Sequence, residues 1–164
     1  PAMIDSPFIN FIESKNEGVK FKRVDSAISS ALTTGTNIDN EALVNLFKEA
    51  IGDEKLKIEV TEMKSEDIPA VILISEESRR MQEMMRMYGN MGMSPDMFPA
   101  DITLSINCGN SLIKAVSACE NSDTAKLICK QIYDNARLAH SLLDSASVTE
   151  FIKRSSEIMS IALK

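Results

Sequence analysis

The sequence predicts an α+β fold: a small three-stranded sheet packed with helices, then a C-terminal helical hairpin that forms a four-helix bundle in a dimer. Three observations lead there. Short apolar runs at residues 56–60, 70–74 and 102–106 are strand-length and bounded by polar or Pro/Gly-containing segments. Apolar residues at i, i+3, i+4 mark helices around them. Residues 123–164 carry two long helical patterns separated by a polar turn.

Taken in order, residues Pro7–Lys15 read as a short helix through Phe8, Phe11 and Ile12, ended by Gly18. Val19–Val24 alternates like a strand. One helix and one strand cannot close a core, so they read as the end of a preceding domain. Ser29–Asn40 is small, polar and Gly-containing, a linker composition that places the boundary between residues 1–34 and 35–164. Asp39 is then positioned to cap a helix over Asn40–Ile51, with Leu43, Leu46, Phe47 and Ala50 as its stripe and Gly52 as its stop.

Leu56, Ile58 and Val60 alternate with polar residues, which predicts a half-buried strand. Ala70–Ile74, opened by Pro69, is apolar on both faces and reads as a central strand. Ile102, Leu104 and Ile106 give a third strand, and Asn107-Cys108-Gly109-Asn110 turns the chain, with Asn110 capping a short helix that carries Leu112, Ile113 and Val116. Between the second and third strands, Ser75 can cap a helix over Glu76–Tyr88, followed by a loose Gly- and Pro-punctuated stretch to Ala100. The hairpin's first helix is expected over Asp123–Leu143, and Ser147-Val148-Thr149-Glu150 reads as the capping box of the second.

Composition narrows the function. The 164 residues suffice for one domain with its own core. The formal charge is −6 and no stretch is densely basic, which argues against broad nucleic-acid or anionic-membrane binding. Cys108, Cys119 and Cys129 are odd in number and include no C-x-x-C pair, which fits a reducing, cytoplasmic compartment. No apolar run is long enough to span a membrane. A single histidine, His140, excludes triads and multi-histidine metal sites within this chain, and no Gly-rich phosphate loop is present. Nothing in the pattern reads as catalytic, and no metal ligand set is expected. The chain opens at Pro1 without an initiator methionine and reads as a fragment of a longer protein.

Two segments carry functional readings. The hairpin's apolar surface, through Leu127, Ile128, Ile132, Ala136, Ala139, Leu142 and Leu143 on one helix and Phe151, Ile152, Ile158, Met159 and Leu163 on the other, is wider than two helices can bury against each other. The excess packs either on its own domain or on a second copy around a two-fold axis. Seven of the ten methionines lie between Met81 and Met97. Met81, Met84, Met85 and Tyr88 share a helical face, followed by Met87, Met91, Met93, Met97 and Phe98, while Arg79, Arg80, Gln82, Glu83 and Arg86 are expected to stay in water. Flexible, polarizable methionines suit a contact surface for varied apolar polypeptides. The alternatives are ordinary core or interface filler, a generic protein-interaction surface, and soft-ligand Cu(I) binding.

The order of elements resembles the carboxy-terminal domain of the ninety-kilodalton heat-shock chaperone family, bacterial HtpG branch. The resemblance rests on Phe11-Ile12-Glu13-Ser14-Lys15 with Gly18-Val19-Lys20-Phe21, Glu41-Ala42-Leu43 through Phe47-Lys48, Ile68-Pro69-Ala70, and Met81-Gln82-Glu83-Met84-Met85. It continues through Ile106-Asn107 with Leu112-Ile113-Lys114, Asp134-Asn135-Ala136-Arg137-Leu138-Ala139, and Phe151-Ile152-Lys153-Arg154. Cys108 stands where members of that family usually carry proline, which implies a looser turn.

The resemblance implies a homodimerisation and client-contact domain of an ATP-dependent chaperone that assists folding under stress. The parent's ATP and Mg site would lie in an amino-terminal domain outside this chain, so this fragment is expected to be no enzyme and to hold no cofactor of its own. Its implied partners are a second copy and non-native client proteins held by residues 81–98, with neither nucleic acid nor membrane. The ending Ile161-Ala162-Leu163-Lys164, without an acidic tail, implies no helical-repeat cochaperone.

Overall fold

The computed structural model describes residues 2–16, 18–19, 33–37, 40–75, 78, 80–81, 102–139 and 143–163. The chain divides into two compact units: residues 1–30 with 74–101, and residues 31–73 with 102–164.

In the first unit, helix α1 spans Ala2–Lys15, beginning five residues before the expected Pro7. Its Phe8 and Phe11 are exposed, with the Lys15 ammonium 5.9 Å from the centre of the Phe11 ring. The predicted strand Val19–Val24 lies outside the described residues beyond Val19. Ser75 acts as expected: its Oγ accepts the Ser78 amide at 3.2 Å, opening a helical turn that includes Arg80 and Met81. Arg80 is not held in water. Its guanidinium forks onto the Glu13 carboxylate at 2.8 and 3.2 Å.

The second unit is α+β, as expected. Strands β1 (Thr33–Asn37), β2 (Lys57–Met63), β3 (Ala70–Ile74) and β4 (Ile102–Asn107) form a mixed sheet in the order β1-β2-β4-β3. The three expected strands are β2, β3 and β4. β1 is a fourth, drawn from the segment read as linker, and it pairs antiparallel to β2 across an irregular register. Its sequence, Thr-Thr-Gly-Thr-Asn, has no apolar alternation to announce a strand. Backbone pairing at a sheet edge does not need one.

β2 and β4 run parallel, Lys57 opposite Thr103 through Thr61 opposite Asn107. Val60, Leu104 and Ile106 are buried on one face, as the alternation predicts. The opposite face is not the wet one expected of a half-buried strand. Thr61, Ser105 and Asn107 are buried there too, and the Thr61 and Ser105 hydroxyls share a hydrogen bond of 2.9 Å. β3 lies at the end of the strand order, not in its centre. Apolar residues on both faces report that a strand is covered above and below; they carry no information about its neighbours in the sheet.

Asn107 organises the turn after β4. Its Nδ2 donates to the carbonyls of Ser65 and Ile68, both at 2.8 Å, and its Oδ1 accepts from the amides of Met63 and Gly109, both at 3.1 Å. The amide side chain is thereby satisfied in full while completely buried. Cys108 donates its backbone N–H to the Thr61 carbonyl at 3.0 Å, a bond proline at this position could not make.

Helix α2 (Glu41–Ile51) is capped by Asn40, one residue after the expected Asp39, with Oδ1 accepting the Leu43 amide. Gly52 ends it in the left-handed region at φ 73°, a conformation glycine adopts without steric cost. Asn110 caps α3 (Ser111–Ser117), as expected, accepting from Leu112 and Ile113. Helix α4 (Ser122–Leu138) is capped by Asn121 and stops short of the expected Leu143. Helix α5 spans Ser145–Ala162. Asp144 caps it by accepting the Ser147 amide at 2.7 Å, so Ser147 lies inside the first turn instead of opening the helix. Among the described residues, no helix is long and apolar enough to cross a membrane.

Candidate functional site

The hairpin of α4 and α5 divides its apolar residues between two destinations. Ala125, Cys129, Ile132, Tyr133 and Ala136 recur at three- and four-residue spacing along α4 and are buried. This face packs on α2, whose Leu43 and Phe47 are buried in turn. Ile132 and Ala136, read from sequence as dimer residues, therefore belong to the protomer's own core and present no surface to a partner. Part of the excess apolar width is absorbed in this way.

The rest is not. Helix α5 has no buried residue along its 18 positions. Ile152, Met159 and Leu163 are 58%, 59% and 89% exposed, and their spacing of seven and four aligns them on one outward stripe. Ile161 and, on α4, Leu138 are exposed as well. Phe151, Ile158, Leu127, Ile128 and Leu143 are half-buried, and Ala139 is exposed. Leu142 lies outside the described residues.

Four polar side chains bond α5 to α4, and sequence periodicity gives no sign of them. Arg154 Nη2 donates to Asp134 Oδ2, Arg154 Nε donates to Gln131 Oε1 at 2.9 Å, and Gln131 Nε2 donates to Ser155 Oγ at 2.7 Å. Asp134 is 3% exposed. Its Oδ1 makes no hydrogen bond but has Arg137 at 3.5 Å and Lys130 at 3.8 Å. Burial lowers the Lys130 pKa; Asp134 draws it back up, and Arg154 and Arg137 lower it further. Lys130 and Arg137 also lie 5.2 and 5.5 Å from the centre of the Tyr133 ring. The detectable signal was a carboxylate on the helix side opposite the apolar stripe, followed 20 residues later by an arginine on the next helix.

Of the methionine cluster, Met81 is described and exposed. Met84, Met85, Met87, Tyr88, Met91, Met93, Met97 and Phe98 lie outside the described residues, as does His140. Cys108 and Cys119 are partly exposed and Cys129 is buried, all as free thiols; burial pushes the Cys129 thiol up to about 12. Among the described residues, no group of three or more His, Cys, Asp or Glu is placed to hold a metal ion. Neither a family model nor any curated protein matches this sequence.

Proposed function

We propose that this chain is the homodimerisation and client-contact domain of an ATP-dependent molecular chaperone of the heat-shock family it resembles. The observation that carries the reading is the outward stripe of Ile152, Met159 and Leu163 on a helix without a buried residue. Large apolar side chains aligned on one exposed helix face favour association with a partner. A two-fold axis would meet that need by setting the same stripe of a second copy against it, completing four helices around one seam.

Joining two chains permanently at this end raises the effective concentration of whatever they carry at the other. Closure of a distant ATP-binding region would then be an intramolecular event. Residues 81–98 supply the client contact in this reading, with methionines that mould to varied apolar segments. The expected setting is the cytoplasm, with nucleotide held elsewhere in the parent.

Light scattering at micromolar concentration tests it. The chain should run at twice 18.1 kDa, and Ile152→Lys with Met159→Lys should halve that mass without changing the circular dichroism spectrum. A wild-type chain that stays monomeric overturns the reading.

A further inference from the structure

The apolar arc of α5 is too wide to decide which side faces α4. Phe151 and Ile158 are half-buried, three residues before and four after Arg154 and so on the helix face that bonds α4, and each is followed in sequence by a residue of the outward stripe, Ile152 and Met159. Successive helical residues are about 100° apart, so rolling α5 by that angle would exchange the two faces. Burial of apolar area alone makes little distinction between the two seatings.

The polar residues do distinguish them. Leu127, Gln131, Asp134 and Leu138 follow one another along α4 at spacings of four, three and four, the stripe of a coiled-coil seam whose two central members are polar. Lys130 and Arg137 are carried by α4 itself and stay near Asp134 whatever α5 does. The bonds that depend on the roll come from Arg154 and Ser155. After a roll of about 100°, Arg154 would leave Asp134, and a carboxylate 3% exposed would lose its closest charge-assisted hydrogen bond.

We infer that Arg154 on Asp134 is a register key: it selects the roll of α5 and thereby sends Ile152, Met159 and Leu163 outward. A single polar group in an otherwise apolar seam is known to act in this way, specifying pairing more than strength. That the outward stripe meets a second copy rests on the proposed homodimer; the roll of α5 within one chain does not.

The test reads the two separately. Methyl NOEs are collected on Ile/Leu-labelled chain diluted into unlabelled chain, so that only contacts within one chain appear, alongside solution mass. Wild type should show Ile158, and not Ile152, against the α4 leucines. Arg154→Met should show both sets and a mixture of masses, whereas Arg154→Lys, which keeps a donor for Asp134, should retain the wild-type pattern. Should Arg154→Met fold poorly, Asp134→Leu with Arg154→Met removes the buried carboxylate as well and should show the same mixture. Either variant folding with the Ile158 set alone and one wild-type mass overturns the key. A monomeric wild type with the Ile158 set alone would sink the dimer and leave the key standing.

Discussion

Arg154 reaches across the hairpin to the buried carboxylate of Asp134, an ion pair that links α5 to α4. Both partners are withdrawn from water: the Asp134 side chain is 4% exposed and that of Arg154 12%. Removing one member of such a pair strands the other. Asp134→Ala would leave Arg154, Lys130 and Arg137 clustered without their anion, at a cost of about 3–5 kcal/mol and roughly 10 °C in Tm by urea and thermal denaturation. Arg154→Ala should cost less, because Asp134 keeps Lys130 and Arg137.

The completely buried Asn107 side chain makes four hydrogen bonds: two to the loop after β2, one to the last residue of β2 and one within its own turn. Asn107→Ala orphans two amides and two carbonyls at once, so about 3 kcal/mol of stability should be lost in urea titrations. The Met63 amide, which donates to Oδ1, should show faster hydrogen exchange than its strand neighbours. Unchanged exchange there would mean the amide finds another acceptor.

Asp144 is exposed, and its pKa is held below the ordinary carboxylate value of 3.8 chiefly by the Ser147 amide it caps. A depressed folded-state pKa contributes stability at pH above 3.8, and that contribution is lost as pH falls through the lowered value. The α5 helical signal should therefore decline in strong acid. Asp144→Asn keeps an accepting oxygen without the titration, so this part of the acid dependence should vanish from circular dichroism.

Cys129 is fully buried with its thiol pushed up to about 12, so no useful fraction of thiolate exists near neutral pH. Iodoacetamide at pH 8 should label Cys108 and Cys119 on the native chain and reach Cys129 only in denaturant, as read by peptide mass spectrometry. Native labelling of Cys129 at the rate of the other two would contradict its burial.

The parts legible in the sequence are those whose causes are local. Asn110 and Gly52 end or begin helices through contacts within four residues, and β2 and β4 announce their shared apolar face by alternation. Elsewhere two local signals compete. Asp144 and Ser147 are both good caps three residues apart, and the chain uses the first, placing the second inside the turn. β1 was hidden for the opposite reason, because an edge strand of Thr, Gly and Asn draws its order from the backbone of β2.

In the hairpin, residue spacing alone establishes that the apolar surface is wider than one antiparallel contact. Which residues make up the excess depends on packing: α2 takes up Ile132 and Ala136, while Ile152, Met159 and Leu163 remain in water. Periodicity reports how far around a helix the apolar residues extend, but the choice between neighbouring faces depends on groups distant in the chain. Here a buried carboxylate on one helix and a guanidinium 20 residues later make that choice, because a charge removed from water tolerates few placements of its partner.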